Sequence, residues 1–217
     1  MKKGFSELVG IIDKSGSMQS IVSDAIGGFN SFIKAQKALP GKANLTLVLF
    51  DTGYKMVHDG IDLKEVGELT EKEYSPSGLT ALYDAVGKAI NVVGKRLADT
   101  PEDERPEKVI FAILTDGQEN SSKEFSKEKI AEMISVQKET FSWEFVFLAA
   151  NQDAMKAGGS IGIAAKDTHS FAATGVGVKK SYASMVRSTG AYRGASDMEL
   201  SSAIASSFDI DEDDSDE

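Results

Sequence analysis

The stretch Leu8-Val9-Gly10-Ile11-Ile12-Asp13-Lys14-Ser15-Gly16-Ser17 decides the fold. Five residues without a polar interruption predict a strand buried on both faces, as in a parallel sheet covered by helices. The strand runs directly into one carboxylate and two hydroxyls within five residues. All three are hard oxygen donors, suited to Mg²⁺ or Mn²⁺ and poorly suited to zinc. A second stretch has the same form: Val109-Ile110-Phe111-Ala112-Ile113-Leu114 leads into Thr115-Asp116-Gly117. In an open parallel sheet the ligand crevice lies at the carboxyl ends of the strands, at the topological switch point. Neighbouring strands there would bring Asp13 and Asp116 to one site.

Working outward, short β-like runs alternate with longer helical patterns. Apolar residues at helical spacing (Val22, Ala25, Ile26, Phe29, Phe32, Ile33) predict a helix over 20–38, ended by Pro40-Gly41. Leu45–Phe50 reads as a strand. Asp51-Thr52-Gly53 then turns into a third strand near Tyr54–Ile61, an antiparallel partner at the sheet edge. Residues 62–79 are mostly polar and read as loop. Helices are expected over 80–97 and 126–140, a strand over 143–150, a short helix near 153–157, a turn at Gly158-Gly159, a weaker strand near 168–172 and a helix near 179–189. Phe141, Trp143, Phe145 and Phe147 alternate at strand period and are expected in the core. The fold class is therefore α/β: a doubly wound, Rossmann-like domain with a central, mostly parallel six-stranded sheet, one antiparallel edge strand and helices on both faces. The domain is expected over 1–190. A C-terminal extension of weak helical character follows over 191–208, then an acidic tail over 209–217 without enough apolar residues to order itself.

The 217 residues include no cysteine, which excludes disulfides, thiolate catalysis and Cys-based metal sites, and fits a cytoplasmic setting. No apolar run approaches the about 18–20 residues that cross a bilayer, and the start of the chain is too interrupted for a signal peptide. The net charge is −10, but seven acidic residues fall in the last nine positions; the other 27 acidic residues face 24 basic ones, a net of −3. That near-neutral body carries no basic footprint for nucleic acid.

A third hydroxyl, Thr80, opens a helix after Ser77-Gly78-Leu79. Asp-x-Ser-x-Ser after one strand, Gly-x-Thr before a helix and Thr-Asp-Gly after a later strand together resemble the von Willebrand factor A domain family. Ser77 departs from the pattern, standing where a second glycine is often found. The resemblance extends over roughly residues 5–190, and the run Thr80-Ala81-Leu82-Tyr83-Asp84-Ala85 is more similar to intracellular bacterial or phage members than to animal adhesion domains. It implies a metal-ion-dependent adhesion site (MIDAS) for Mg²⁺, or Mn²⁺ or Ca²⁺. By that resemblance Ser15, Ser17 and Thr80 are hydroxyl ligands, and Asp13 and Asp116 bind directly or through water. Hydroxyl ligands neutralise little of a dication's charge, so an Asp or Glu of a protein partner is expected to complete the shell. The expected function is metal-dependent protein binding, not catalysis, with the chain's own acidic tail as one candidate ligand.

The competing expectation is a Mg²⁺-dependent phosphatase of haloacid dehalogenase type with Asp13 as nucleophile. That reading leaves Thr80 without a role and needs a second acid after Asp116 that is not evident. His58 and His169 lie far apart in strand-like segments and read as structural. Gly158-Gly159-Ser160-Ile161-Gly162 follows a short helix instead of opening one and has no Gly-Lys-Ser/Thr, so it reads as a connection and not a phosphate loop.

Overall fold

The elements follow in chain order as β1 (Lys2–Asp13), α1 (Val22–Ala38), β2 (Lys42–Phe50), β3 (Tyr54–Asp62), α2 (Leu82–Asp99), β4 (Pro106–Thr115), α3 (Lys127–Phe141), β5 (Glu144–Ala149), α4 (Ala154–Ser160), β6 (Thr168–Ser170), α5 (Gly175–Tyr192) and α6 (Asp197–Ala205). The structure is a computed structural model that describes residues 1–150 and 154–208. The acidic tail, 209–217, and the expected helix start at Asp153 lie outside the described residues.

The strands form one sheet in the order β3-β2-β1-β4-β5-β6. Among the described residues only the β2–β3 pair is antiparallel, and β3 is an edge strand, as its turn signal predicts. The chain winds from β1 to β2 on one side and resumes at β4 on the other. The switch point therefore falls between β1 and β4, where Ile12 is paired with Leu114. Asp13 and Thr115 end their strands side by side at this crevice.

Apolar residues on alternate sides of the strands feed two cores. Leu8, Ile12, Leu47 and Leu114 pack with α1, α5 and α6; Val9, Ile11, Phe111 and Ile113 pack with α2 and α3. Phe111 stacks on Trp143 and Phe145, with ring centroids 5.3 and 4.9 Å apart. Helices α1 and α5 approach closely because Gly28 has no side chain: a Cβ there would lie 2.3 Å from the Tyr182 ring.

Several elements differ from expectation. β1 begins at Lys2 instead of Leu8, because its first residues are polar and exposed and carry no hydrophobic signal. It continues through Glu7, which is only 1% exposed. Glu7 Oε1 accepts from Arg96 Nη2 at 2.8 Å and from Thr46 Oγ1 at 2.7 Å, and Arg96 Nε lies 3.0 Å from Asp59 Oδ1. Segment 63–74 reads as polar loop, yet it buries Leu63, Val66, Leu69 and Tyr74 against α1. Phe141 ends α3 exposed, outside the core, while Trp143, Phe145 and Phe147 are buried as expected. Gly158 and Gly159 belong to α4, and the turn comes after them. α5 starts at Gly175, four residues early, with Thr174 accepting from the Gly177 N–H. α6 is capped by Ser196 and Glu199 in a reciprocal capping box. A nine-residue helix is marginal alone; here Leu200, Ala203 and Ile204 are buried with α1 and α5.

Candidate metal centre

The crevice between β1 and β4 brings all five of the sequence-predicted residues together. Asp13, the last residue of β1, is fully buried. Its Oδ1 accepts the Ser15 N–H at 2.7 Å and its Oδ2 accepts the Thr115 hydroxyl at 2.6 Å. Its backbone carbonyl accepts the Tyr74 hydroxyl at 2.6 Å. The Ser15 and Ser17 hydroxyls are 3.1 Å apart, and the Ser17 hydroxyl donates to Asp116 Oδ1 at 2.6 Å. Thr80 arrives from the other side. A Cβ built on Gly117 would lie 2.8 Å from Thr80 Oγ1 and 3.6 Å from Ser17 Oγ. Glycine at 117 thus leaves room for the Thr80 and Ser17 hydroxyls to approach each other.

The electrostatics follow from burial. Desolvation pushes the Asp13 carboxyl up to about 6, outweighing the hydrogen bonds from Thr115 and Ser15, and Asp116 adds like-charge repulsion. Asp116 is also raised, by burial first, with the Ser17 hydroxyl opposing. Two carboxylates kept uneasy beside three hydroxyls are what a divalent cation relieves, and the donors are all oxygen. No group of three or more His, Cys, Asp or Glu forms a metal cluster among the described residues. The candidate centre is hydroxyl-rich instead.

The loops around these donors are fixed by their own network. Lys14, within the first motif, pairs with Asp51 at the end of β2. Burial raises Asp51, but Lys14, the Gly53 N–H and the Ser77 hydroxyl outweigh it and hold it below the ordinary carboxylate value. The threonine loop docks on the first loop through Gly16 N–H to the Gly78 carbonyl and Ser77 N–H to the Lys14 carbonyl. It docks on the third loop through Asn120. The Thr80 N–H donates to Asn120 Oδ1 at 2.9 Å, and the Asn120 N–H donates to the Thr80 carbonyl at 3.0 Å. The start of α2 has no cap of its own. Glu119 accepts the Tyr83 N–H instead, while Asp84 accepts the N–H groups of Lys123, Glu124 and Phe125.

Sequence reasoning missed Thr115, Tyr74, Glu119, Asn120 and Asp84. Thr115 was legible as the residue before Asp116 on a buried strand; Asp84 and Glu119 are ordinary acids whose partners lie about forty residues away. The two histidines lie in separate strands: His58 in β3, and His169 in β6, where it meets the Ser188 hydroxyl at 3.2 Å.

No family model matches the sequence, and no curated protein matches it. Solved structures do. Proximal thread matrix protein 1 from the mussel byssus superposes with a TM-score of 0.60 at 13% identity, covering 88% of this chain and 47% of that one. A von Willebrand factor type A structure from Catenulispora acidiphila superposes with a TM-score of 0.54 at 14% identity, over 88% of this chain and 43% of that one. This chain has the von Willebrand factor A fold. A mutant form of the PilB minor pilin from Streptococcus sanguinis shares the fold with a TM-score of 0.58 at 12% identity, over 95% of this chain and 64% of the pilin. The chain thus spans about half the length of the mussel protein it matches. One structure of that mussel protein, with a TM-score of 0.57 at 16% identity over 87% of this chain and 46% of that one, has a zinc-occupied MIDAS motif. In the von Willebrand factor A fold of this chain, the five oxygen donors lie at the switch-point crevice.

Proposed function

We propose that this chain is a metal-dependent protein-interaction module, with Asp13, Ser15, Ser17, Thr80 and Asp116 holding one divalent cation. The carrying observation is the convergence of Ser15, Ser17 and Asp116, linked at 3.1 and 2.6 Å, with Thr80 Oγ1 beside Gly117 and Asp13 buried below Ser15 in the same loop. A bound dication would supply a Lewis-acidic centre that accepts a carboxylate. Asp13 holds the Ser15 loop in place through its backbone N–H, and Thr115 fixes the other Asp13 oxygen. Ser15, Ser17 and Thr80 contribute neutral oxygens, so the site keeps a net attraction for an acidic side chain from a protein partner. Mg²⁺ suits the all-oxygen donor set. The zinc in the mussel protein's motif makes Zn²⁺ the competitor to measure.

We take 1–190 as the interaction domain and 191–208 as its extension. No described helix is long and apolar enough to cross a membrane; the cysteine-free composition supports a cytoplasmic setting. A phosphatase would need Asp13 as an accessible nucleophile. Its burial, with both oxygens accepting hydrogen bonds, speaks against that role. Affinity capture in Mg²⁺ against EDTA, with Asp13→Ala as control, tests the proposal. Partners should appear only with metal and only on the wild type; partners indifferent to EDTA would contradict it. Turnover of p-nitrophenyl phosphate that vanished in Asp13→Asn would revive the enzyme reading.

A further inference from the structure

Beside the candidate metal centre lies a second cavity, of about 310 Å³, that shares Thr115 and Gly117 with it. Its floor is apolar: Leu82, Phe147 and Ile161 are each at most 4% exposed, and Tyr83 is half-buried beside them. Lys127 at the start of α3 and Lys156 on α4 stand on its rim, both exposed. Lys127 Nζ is 3.9 Å from the exposed Glu128 carboxylate, too long and too solvated a pair to neutralise it; Lys156 forms no ion pair among the described residues. The acid in the lining, Glu119, sets one negative charge against the two lysines. Its two oxygens accept the N–H groups of Tyr83, Ser121 and Ser122 and the Ser122 hydroxyl. The groove is therefore cationic at the rim, apolar below and open to the metal centre at one end. Its volume, at the lower end of ligand pockets, suits a side chain or two and not a whole cofactor.

We infer that this groove is the specificity subsite for an acidic-apolar-acidic segment of a protein partner. One carboxylate meets the metal centre, an apolar side chain covers Leu82 and Phe147, and a second carboxylate lies between Lys127 and Lys156. This inference rests on the metal-dependent reading of the neighbouring site, but the lysines touch none of the five oxygen donors, so the two separate experimentally.

The test is an NMR shift titration with two peptides, Ac-Glu-Leu-Glu-NH2 and Ac-Glu-Leu-Gln-NH2, in Mg²⁺ and in EDTA. The proteins are wild type and the double variant Lys127→Gln/Lys156→Gln. Exposed ion pairs are individually weak and salt-screened. The wild type should therefore prefer the diacid by about three- to tenfold at low salt, less at high salt, and the double variant should bind both peptides equally with unchanged Mg²⁺ affinity. Mg²⁺-dependent binding without a diacid preference, or a preference that survives in the double variant, overturns the subsite and leaves the metal reading standing. A lysine-dependent preference that is indifferent to Mg²⁺ supports the subsite and overturns the metal reading. Failure of the wild type to bind either peptide overturns the subsite.

Discussion

Asp13→Asn should raise the melting temperature of the metal-free protein near neutral pH, even though it removes the carboxylate at the centre of the site. Burial lifts the Asp13 pKa from 3.8 to about 6. A carboxyl whose folded-state pKa exceeds its unfolded value holds its proton more tightly in the fold. Its contribution to stability is present below about pH 4 and is lost as pH rises through about 6. At about 1.4 kcal/mol per pKa unit, the charged form is about 3 kcal/mol less favourable in the fold above that pH. Asparagine removes the charge while its hydrogen bonds can still be made. Its carbonyl accepts the Ser15 N–H, and its amide donates to the Thr115 hydroxyl, which is then free to turn its own proton to the Gly117 carbonyl 3.0 Å away. For a chain of this size each kcal/mol moves the melting temperature by about 2–4 °C, so the expected rise is about 6–12 °C. The assay is thermal unfolding of both proteins in EDTA at about pH 7.5 and about pH 4, then in Mg²⁺ at the higher pH. The variant's advantage should shrink at the lower pH, and Mg²⁺ should raise only the wild type. A variant that melts below wild type in EDTA at both pH values would refute the reasoning.

Thr115→Val removes the hydroxyl that fixes Asp13 Oδ2, and outer partners of this kind are typically worth about 10–100-fold in metal affinity; calorimetry should find a loss in that range with the fold retained. Gly117→Ala places a methyl 2.8 Å from Thr80 Oγ1, so Mg²⁺ affinity should fall while circular dichroism stays unchanged. Arg96→Met leaves buried Glu7 without its cation, at a cost of about 3–5 kcal/mol; melting should drop by about 10 °C, with Mg²⁺ affinity unaffected in the folded protein.

Continuous apolar strands ending in Asp13 and Thr115-Asp116 made the parallel sheet and its switch point legible, because two-sided burial leaves a run that no amphipathic helix produces. The five candidate ligands were legible for a related reason: they are local motifs at strand and helix ends. What orients them is not local. Asn120 reaches Thr80, and Tyr74 reaches Asp13 from a segment whose buried residues are spaced too widely to show a period. Glu7 reads as a break in a strand until Arg96, 89 positions away, supplies its partner. The early start of α5 was hidden because Gly175 and Gly177 oppose helix by propensity, and packing against α1 and the Thr174 cap override them. α6 did leave a signal, the Ser196–Glu199 capping box, but its weak amphipathicity obscured it.

Calorimetric titration of the metal-free protein with Mg²⁺, repeated with Mn²⁺ and Zn²⁺ and with the Ser15→Ala/Ser17→Ala variant, tests the central claim most directly. Wild type should bind one ion per chain, and the double variant should bind none over the same range while keeping its fold. Absence of saturable binding to wild type, or equal affinity in the variant, would contradict the assignment of the metal to this crevice.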